Sequence, residues 1–273
     1  MGDVMGHAFK DLKLAHVECA LEDGVGWIRL NRAPVNAINL DFLAELTQAI
    51  QAARNDPEVK VAMLASLQRG YFSAGLDLKE LELSSDVGRA ELLDQMFKDG
   101  LVRAMRTARK IFIALISGHC LGGGLELALA ADFRVGGEGR WQTGLPEVRL
   151  GGMPGGGGIQ TMSRLIGQSR TLHLIALGET LDPDRAYEVG LLDALHPEDQ
   201  VQREATAFAQ KFAQGPGHAI GSIKMALYEG QDMSLGDALV FERQLYRAIM
   251  MGGDIGEGVA AFREKRTPRF KGI

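Results

Sequence analysis

The apolar residues of this chain follow two rhythms. Up to about residue 158, short runs that are apolar at nearly every position alternate with stretches spaced by three and four. Residues 16–21 and 26–30 predict two strands, and the EDGVG between them has hairpin chemistry. Pro34 stops the second strand inside the loop NRAPVNAIN. Asn39 or Asp41 can then cap a helix whose Leu40, Leu43, Leu46, Ala49 and Ile50 share one face. Residues 59–67 and 111–116 are apolar almost throughout, the pattern of strands buried on both faces. Between them, residues 86–108 predict a long amphipathic helix carrying Leu92, Leu93, Met96, Leu101 and Met105. A helix over 125–131 and a strand over 133–135 follow. Alternating strands and helices predict an α/β domain.

Beyond residue 159 the helical rhythm takes over. Helices are predicted at 159–165, 170–177, 183–189, 202–213, 219–229, 235–251 and 255–263, with one strand at 191–196. No internal repeat, low-complexity tract or linker interrupts the pattern.

Composition narrows the function classes. The chain has 273 residues, 46% hydrophobic and 24% charged, ordinary for a globular protein with a real core. A net charge of −5 argues against a nucleic-acid groove or an anionic-membrane surface as the main business. Two cysteines, Cys19 and Cys120, with no CxxC point to a reducing compartment, without a disulfide framework or zinc site. The first residues have no signal-like apolar core, and no run is long enough to span a bilayer. The expectation is a cytoplasmic protein.

The chemistry concentrates in residues 113–158, where an apolar strand, a triple glycine, two separated glutamates and a four-glycine run follow one another. Gly122-Gly123-Gly124 before a helix is a device for offering backbone N–H groups to an anion. It is neither a P-loop nor a dinucleotide fingerprint, since GK[ST] and GxGxxG are both absent. The plain alternative is that these glycines only permit close strand–helix packing. Residues 73–77, SAGLD, form a second loop-to-helix junction after a buried strand, and its plain alternative is a simple turn. Two such junctions after neighbouring strands can set two N–H donors side by side, the geometry of an oxyanion hole. Glu126 lies among leucines just past the glycines, and Glu147 follows Pro146 in a glycine-flanked loop. A carboxylate in an apolar pocket has a raised pKa and can exchange protons near neutrality. Each is otherwise a surface or salt-bridged glutamate. His119 and Cys120 have no partner that would make a nucleophile or a metal site, and no metal is expected. Arg103, Arg106, Arg109 and Lys110 form a basic stripe at helical spacing, ordinarily a solvated face.

The chain resembles the enoyl-CoA hydratase/isomerase (crotonase) family over nearly its whole length. NRAPVNAIN, FSAGLDLKEL, SGHCLGGGLELALAADFRV, GLPEVRLGGMPGGGG, AYEVGLLDAL and FREKRTPRFKG carry the resemblance, and their order and spacing make it specific. It implies an α/β spiral of ββα units over residues 1–200. A C-terminal helical trimerisation region at 201–273 would complete the same integrated unit, as homotrimers or hexamers built as dimers of trimers. It implies an acyl-CoA thioester substrate, with coenzyme A part of that substrate and no separate cofactor. It implies that the N–H groups of Leu76 and Gly123 hold the thioester oxygen, and that Glu126 and Glu147 are the two carboxylates of a hydratase. Ala74, Asp77, Leu78, Lys79, Gly122, Pro146 and Lys265 match substrate- or CoA-contacting positions, Lys265 from a neighbouring subunit. Met96, Phe97, Leu101 and Trp141 are the expected wall of the acyl pocket.

The departures have consequences. NRAPVNAIN is shorter than the common hydratase loop and lacks its lysine, removing one expected phosphate contact. This loop and SAGLDL look closer to Δ3,Δ2-enoyl-CoA isomerases, which keep the equivalent of Glu147 and typically lack that of Glu126. An extra residue near 139–142 would shift Trp141, and SGHC replaces the usual Asn-Gly before the glycines. The expected reaction is hydration of a 2-trans-enoyl-CoA to the 3-hydroxyacyl-CoA. Isomerisation or another thioester-enolate reaction is the alternative. An RNA-binding or non-catalytic role, resting on the basic stripe, comes last.

Overall fold

In the computed structural model, which describes residues 8–83 and 100–272, the runs that are apolar at every position form the middle of a six-stranded sheet. Its order is β1 (Val17–Glu22), β2 (Val25–Leu30), β3 (Val61–Ser66), β5 (Ile111–Ile116), β7 (Phe133–Gly137) and β10 (Ala194–His196). β1 and β2 form an antiparallel hairpin, and every later pairing in this sheet is parallel. The hairpin turns at Asp23-Gly24, both with positive φ (48° and 80°), which matches the twist of the flanking strands. Period-two alternation sends the residues of each strand to opposite faces. Ile28, Ala62, Leu64, Phe112, Ala114 and Ile116 pack into one core layer beneath helices Leu40–Asn55 and Gly123–Ala130. Trp27, Val61, Met63, Ile111 and Ile113 pack into the other, beneath helix Val201–Ala213. At β3 and β5 both faces are covered, so these strands carry no polar alternation.

A second sheet of four short strands was not foreseen: β4 (Tyr71–Ser73), β6 (His119–Leu121), β8 (Thr143–Gly144) and β9 (Thr180–Leu181). Two- and three-residue strands are too short to show a period. Together the sheets define the repeat. β3–β4, β5–β6 and β7–β8 each send one strand to the large sheet and the next to the small one, and a helix follows. The spiral of ββα units expected from the resemblance is therefore present as topology, although the chain shows no repeat in sequence.

Asn39 caps the first helix by accepting from Phe42 N–H at 3.0 Å, and that helix buries Phe42, Leu43, Leu46, Ala49, Ile50 and Ala53 on one stripe. Of the long helix expected over 86–108, residues 84–99 lie outside the described residues, and with them Met96 and Phe97. The described part is a helix at Leu101–Arg106, entered through Gly100 in a left-handed conformation. The strand expected over 191–196 is confined to Ala194–His196, while Leu191 and Leu192 fill the core ahead of it. From Gly158 on, helices dominate as expected. Among the described residues, no helix is long and apolar enough to cross a membrane.

Candidate active site

Two backbone N–H groups meet where the two sheets of short and long strands hand over to helices. A parallel bridge joins Leu76 to Ile38: Ile38 N–H donates to Gly75 O at 2.7 Å and Asp77 N–H donates to Ile38 O at 2.8 Å. The neighbours of Leu76 thus make the bonds to Ile38, and its own N–H points to the opposite side. On that side lies Gly123, the first residue of its helix, whose N–H has no acceptor within the helix. A Cβ placed on Gly123 would lie 3.8 Å from the Leu76 nitrogen. One placed on Gly75 would stand 2.8 Å from Leu121 O and 3.3 Å from the Gly123 nitrogen. Gly75 also has φ +92°, so glycine is required there on both counts. Two donors side by side in this way can bind one oxygen that carries negative charge.

Buried polar groups brace this junction. Asn36, fully buried, donates to Ser66 Oγ (2.8 Å) and Phe72 O (2.9 Å) and accepts from Arg32 N–H at 2.7 Å. Ser73 Oγ donates to Asn36 O at 2.7 Å and accepts from Gly75 N–H at 3.1 Å. Arg32 reaches Asp77 at 2.9 Å. The sequence marked Asn36 and Arg32 only as parts of a loop. The signal was the Asn between two apolar residues, where a buried amide must find partners.

The glutamates differ. Helix Gly123–Ala130 is buried nearly all round, so Glu126, 8% exposed, has no solvent side to turn to. Its carboxylate instead accepts from Gly158 N–H at 2.9 Å, at the start of the Gly158–Ile166 helix, and also from Gly156 N–H. A Cβ on Gly158 would come within 2.9 Å of Glu126 Oε1, so the carboxylate's approach requires glycine at that position. Burial raises the Glu126 pKa, and the two N–H donors oppose that rise. Glu147 opens a short 3₁₀ turn, Glu147–Leu150, and its Oε1 lies 3.1 Å from where a Gly122 Cβ would be. Its Oε2 is buried with no hydrogen-bond partner among the described residues. Burial, helped by the nearby Glu126 charge, pushes the Glu147 carboxyl up to about 7.

Leu76, Gly123, Glu126 and Glu147 all line one cavity of about 770 Å3. Leu101 joins them with Ile38, Leu43, Leu46 and Val102 on the apolar walls. Trp141 does not. It was expected at the acyl pocket, but its indole is 3% exposed in the core and donates to Gly137 O at 2.8 Å. A large apolar ring gains more by packing there, with its N–H satisfied, than at a wet wall. Ala74, Asp77, Leu78, Lys79, Gly122, Pro146 and Lys265 also lie off this cavity wall. Asp77 is engaged by Arg32, Leu78 and Lys79 are exposed, and Lys265 ends the last helix on the surface. His119 is structural, its Nδ1 accepting from Gln142 N–H at 3.1 Å. Among the described residues no group of three or more His, Cys, Asp or Glu is placed to hold a metal.

The basic stripe is not one solvated face. Lys110 is tied to the carbonyls of Ala53 and Asp56, and Arg109 approaches Ser222 Oγ. Arg103 and Arg106 line the cavity, which spacing alone did not reveal.

A family model for enoyl-CoA hydratase/isomerase matches residues 20–273. The chain belongs to the enoyl-CoA hydratase/isomerase family. Among its relatives, the 2,3-dehydroadipyl-CoA hydratase of Escherichia coli K12 is 35% identical over 246 residues, covering 90% of this chain and 94% of that one. The enoyl-CoA hydratase structure from Bacillus anthracis superposes with a TM-score of 0.90 at 31% identity, covering 95% of this chain and 100% of that one. DspI of Pseudomonas aeruginosa superposes with a TM-score of 0.89 at 28% identity, covering 96% and 99%. The fold is that of the crotonase family, and membership implies an acyl-CoA thioester as substrate.

Proposed function

We propose that this protein hydrates 2-trans-enoyl-CoA to 3-hydroxyacyl-CoA. The observation that carries the reading is the pair of unlike carboxylates on the cavity wall that also presents the Leu76 and Gly123 N–H groups. Glu126, held by two N–H donors, keeps its ionised form the more easily; Glu147, with an unpartnered oxygen, holds a proton up to about pH 7. Glu126 takes a proton from water as its oxygen bonds C3. The double-bond electrons move onto the thioester oxygen, where Leu76 and Gly123 N–H stabilise the enolate charge. Glu147 then delivers its proton to C2, which closes the balance of one water added.

Crotonyl-CoA hydration by Glu147→Gln tests this. A loss of roughly 10²–10⁴ in kcat is expected for a missing proton donor, and undiminished hydration would refute the assignment. A second reading rests on Glu126 Oε1 being engaged as the cap of the Gly158 helix. Glu147 alone would then shuttle a proton between carbons, as an isomerase requires. Bond migration in a 3-enoyl-CoA without hydration of the 2-enoyl isomer would decide for that reading.

The proposal extends to assembly and substrate handle. Leu235, Leu239, Tyr246 and Met250 form one exposed apolar face on helix Leu235–Met250, a surface that homotrimerisation would cover. Lys79 and Lys265 are exposed cations suited to CoA phosphates.

A further inference from the structure

The same cavity holds arginines as well as the glutamates: Gly123 and Glu126 stand in the first turn of helix Gly123–Ala130, whereas Tyr228, on which Arg106 lies, reaches Asp132 just past that helix's other end. Arg103 and Arg106 stand one helical turn apart on the Leu101–Arg106 helix, so they face the same space. Arg106 is half-buried, its guanidinium carbon 4.5 Å from the centroid of the Tyr228 ring, which also lines the cavity. That ring belongs to a fixed surrounding: Lys224 lies 5.9 Å from its centroid and pairs with buried Asp132 at 2.7 Å. Neither Arg103 nor Arg106 has a carboxylate partner within 4 Å among the described residues. Glu229 and Asp232 also line the cavity, but neither pairs with Arg103 or Arg106; the nearest cation given for Asp232 is Arg164, at 4.0 Å. A half-buried guanidinium without an anion is costly, and its planar fork fits a carboxylate.

We propose that Arg106 with Arg103 binds a carboxylate at the far end of the acyl chain, so that the preferred substrate is a dicarboxylic acid joined to CoA through one of its ends. The inference rests on the hydratase reading for the position of the thioester at Leu76 and Gly123. With the thioester there, Ile38, Leu43, Leu46, Leu101 and Val102 enclose the methylenes, and the chain's end arrives at the arginines. A methyl end would strip water from the half-buried Arg106 guanidinium and return nothing.

The test uses 2-enoyl-CoA substrates of four to eight carbons, each with and without a terminal carboxylate, on the full-length protein. At the best-fitting length the carboxylate-ended substrate should show kcat/KM about ten- to a hundredfold above its methyl-ended twin. Arg106→Met should erase that preference from both sides: kcat/KM falls about ten- to a hundredfold for the carboxylate-ended substrate and rises for the methyl-ended one, which no longer strips water from a guanidinium. Arg103→Gln, on an exposed residue that cannot disturb the core, should erode it in part, and Arg106→Lys should keep some of it. Preference for the methyl-ended series at every length overturns the proposal. So does an Arg106 variant that weakens both series equally, which would assign the arginines to CoA phosphates or to packing. The saturated counterparts are measured by calorimetric binding in parallel. If no enoyl-CoA is hydrated, the hydratase reading falls by itself, while tighter binding of the carboxylate-ended saturated ligand, lost in Arg106→Met, still upholds the anion site and equal binding rejects it.

Discussion

At the scale of single residues, the two glutamates show how environment divides like groups into unlike roles. Glu126 sits deeper, yet backbone donors oppose part of the rise that burial causes; Glu147 is less buried, yet one of its oxygens has nothing to bond among the described residues. The proton therefore settles on Glu147 first, and the Glu126 charge reinforces that order. Hydration by a protonated Glu147 should fade as pH rises through about 7, and Glu147→Gln should abolish that alkaline limb along with most of the rate. A kcat/KM profile with crotonyl-CoA reads both. Stability follows the same sign. The native Glu147 pKa is raised from 4.5, so its contribution is full below that value and disappears as pH climbs toward 7. Urea midpoints at pH 4.5 and 8 should converge for Glu147→Gln relative to wild type, once the other groups common to both are subtracted.

At the scale of elements, the site depends on how closely a helix start can approach a neighbouring strand. Gly124 shows the constraint: a Cβ there would meet Ser73 Cβ at 2.6 Å and Ser73 O at 2.8 Å. Ser73 cannot yield easily, because its hydroxyl is fixed between Asn36 O and Gly75 N–H. Gly124→Ala should cost about 1–3 kcal/mol in urea unfolding and lower kcat by moving the Gly123 N–H away from Leu76. Unchanged stability would mean that the junction is looser than its contacts imply. This is also where the sequence was most informative. Glycines at two strand-to-helix junctions are a local signature of close backbone approach, and the Asn39 cap and the both-faces-apolar strands are likewise local. The short strands β4, β6, β8 and β9 were not legible, because their pairing is decided by partners far along the chain.

At the scale of the whole molecule, the last helices leave a face uncovered. Leu235 is 77% exposed and Tyr246 60%, on a helix that buries Leu245 alone. Light scattering should report a trimer or a multiple of it, and Tyr246→Glu should shift it toward monomer while far-ultraviolet dichroism stays unchanged. A monomeric wild-type protein would overturn the assembly proposed here. The same scale shows why the arginines escaped the sequence. Arg103, Arg106, Arg109 and Lys110 have one spacing but three fates, set by what packs against each: the cavity, the Ser222 hydroxyl, or the carbonyls of Ala53 and Asp56. Trp141 escaped for the opposite reason, since a ring suited to a pocket wall found a drier place in the core.

The sequence by itself determined the features that short-range chemistry controls. These are the buried strands, the glycine junctions, the capped first helix, the late helical region and the four residues Leu76, Gly123, Glu126 and Glu147 that meet at one cavity. Only the tertiary structure decided their relations. It turned the Leu76 N–H toward Gly123, gave Glu126 donors from a distant glycine run, left Glu147 with an unpartnered oxygen, and set two arginines on the cavity wall. The reason is physical: a residue's type and spacing set what it is able to do, but its partners and its access to water are set by segments that meet only when the chain folds.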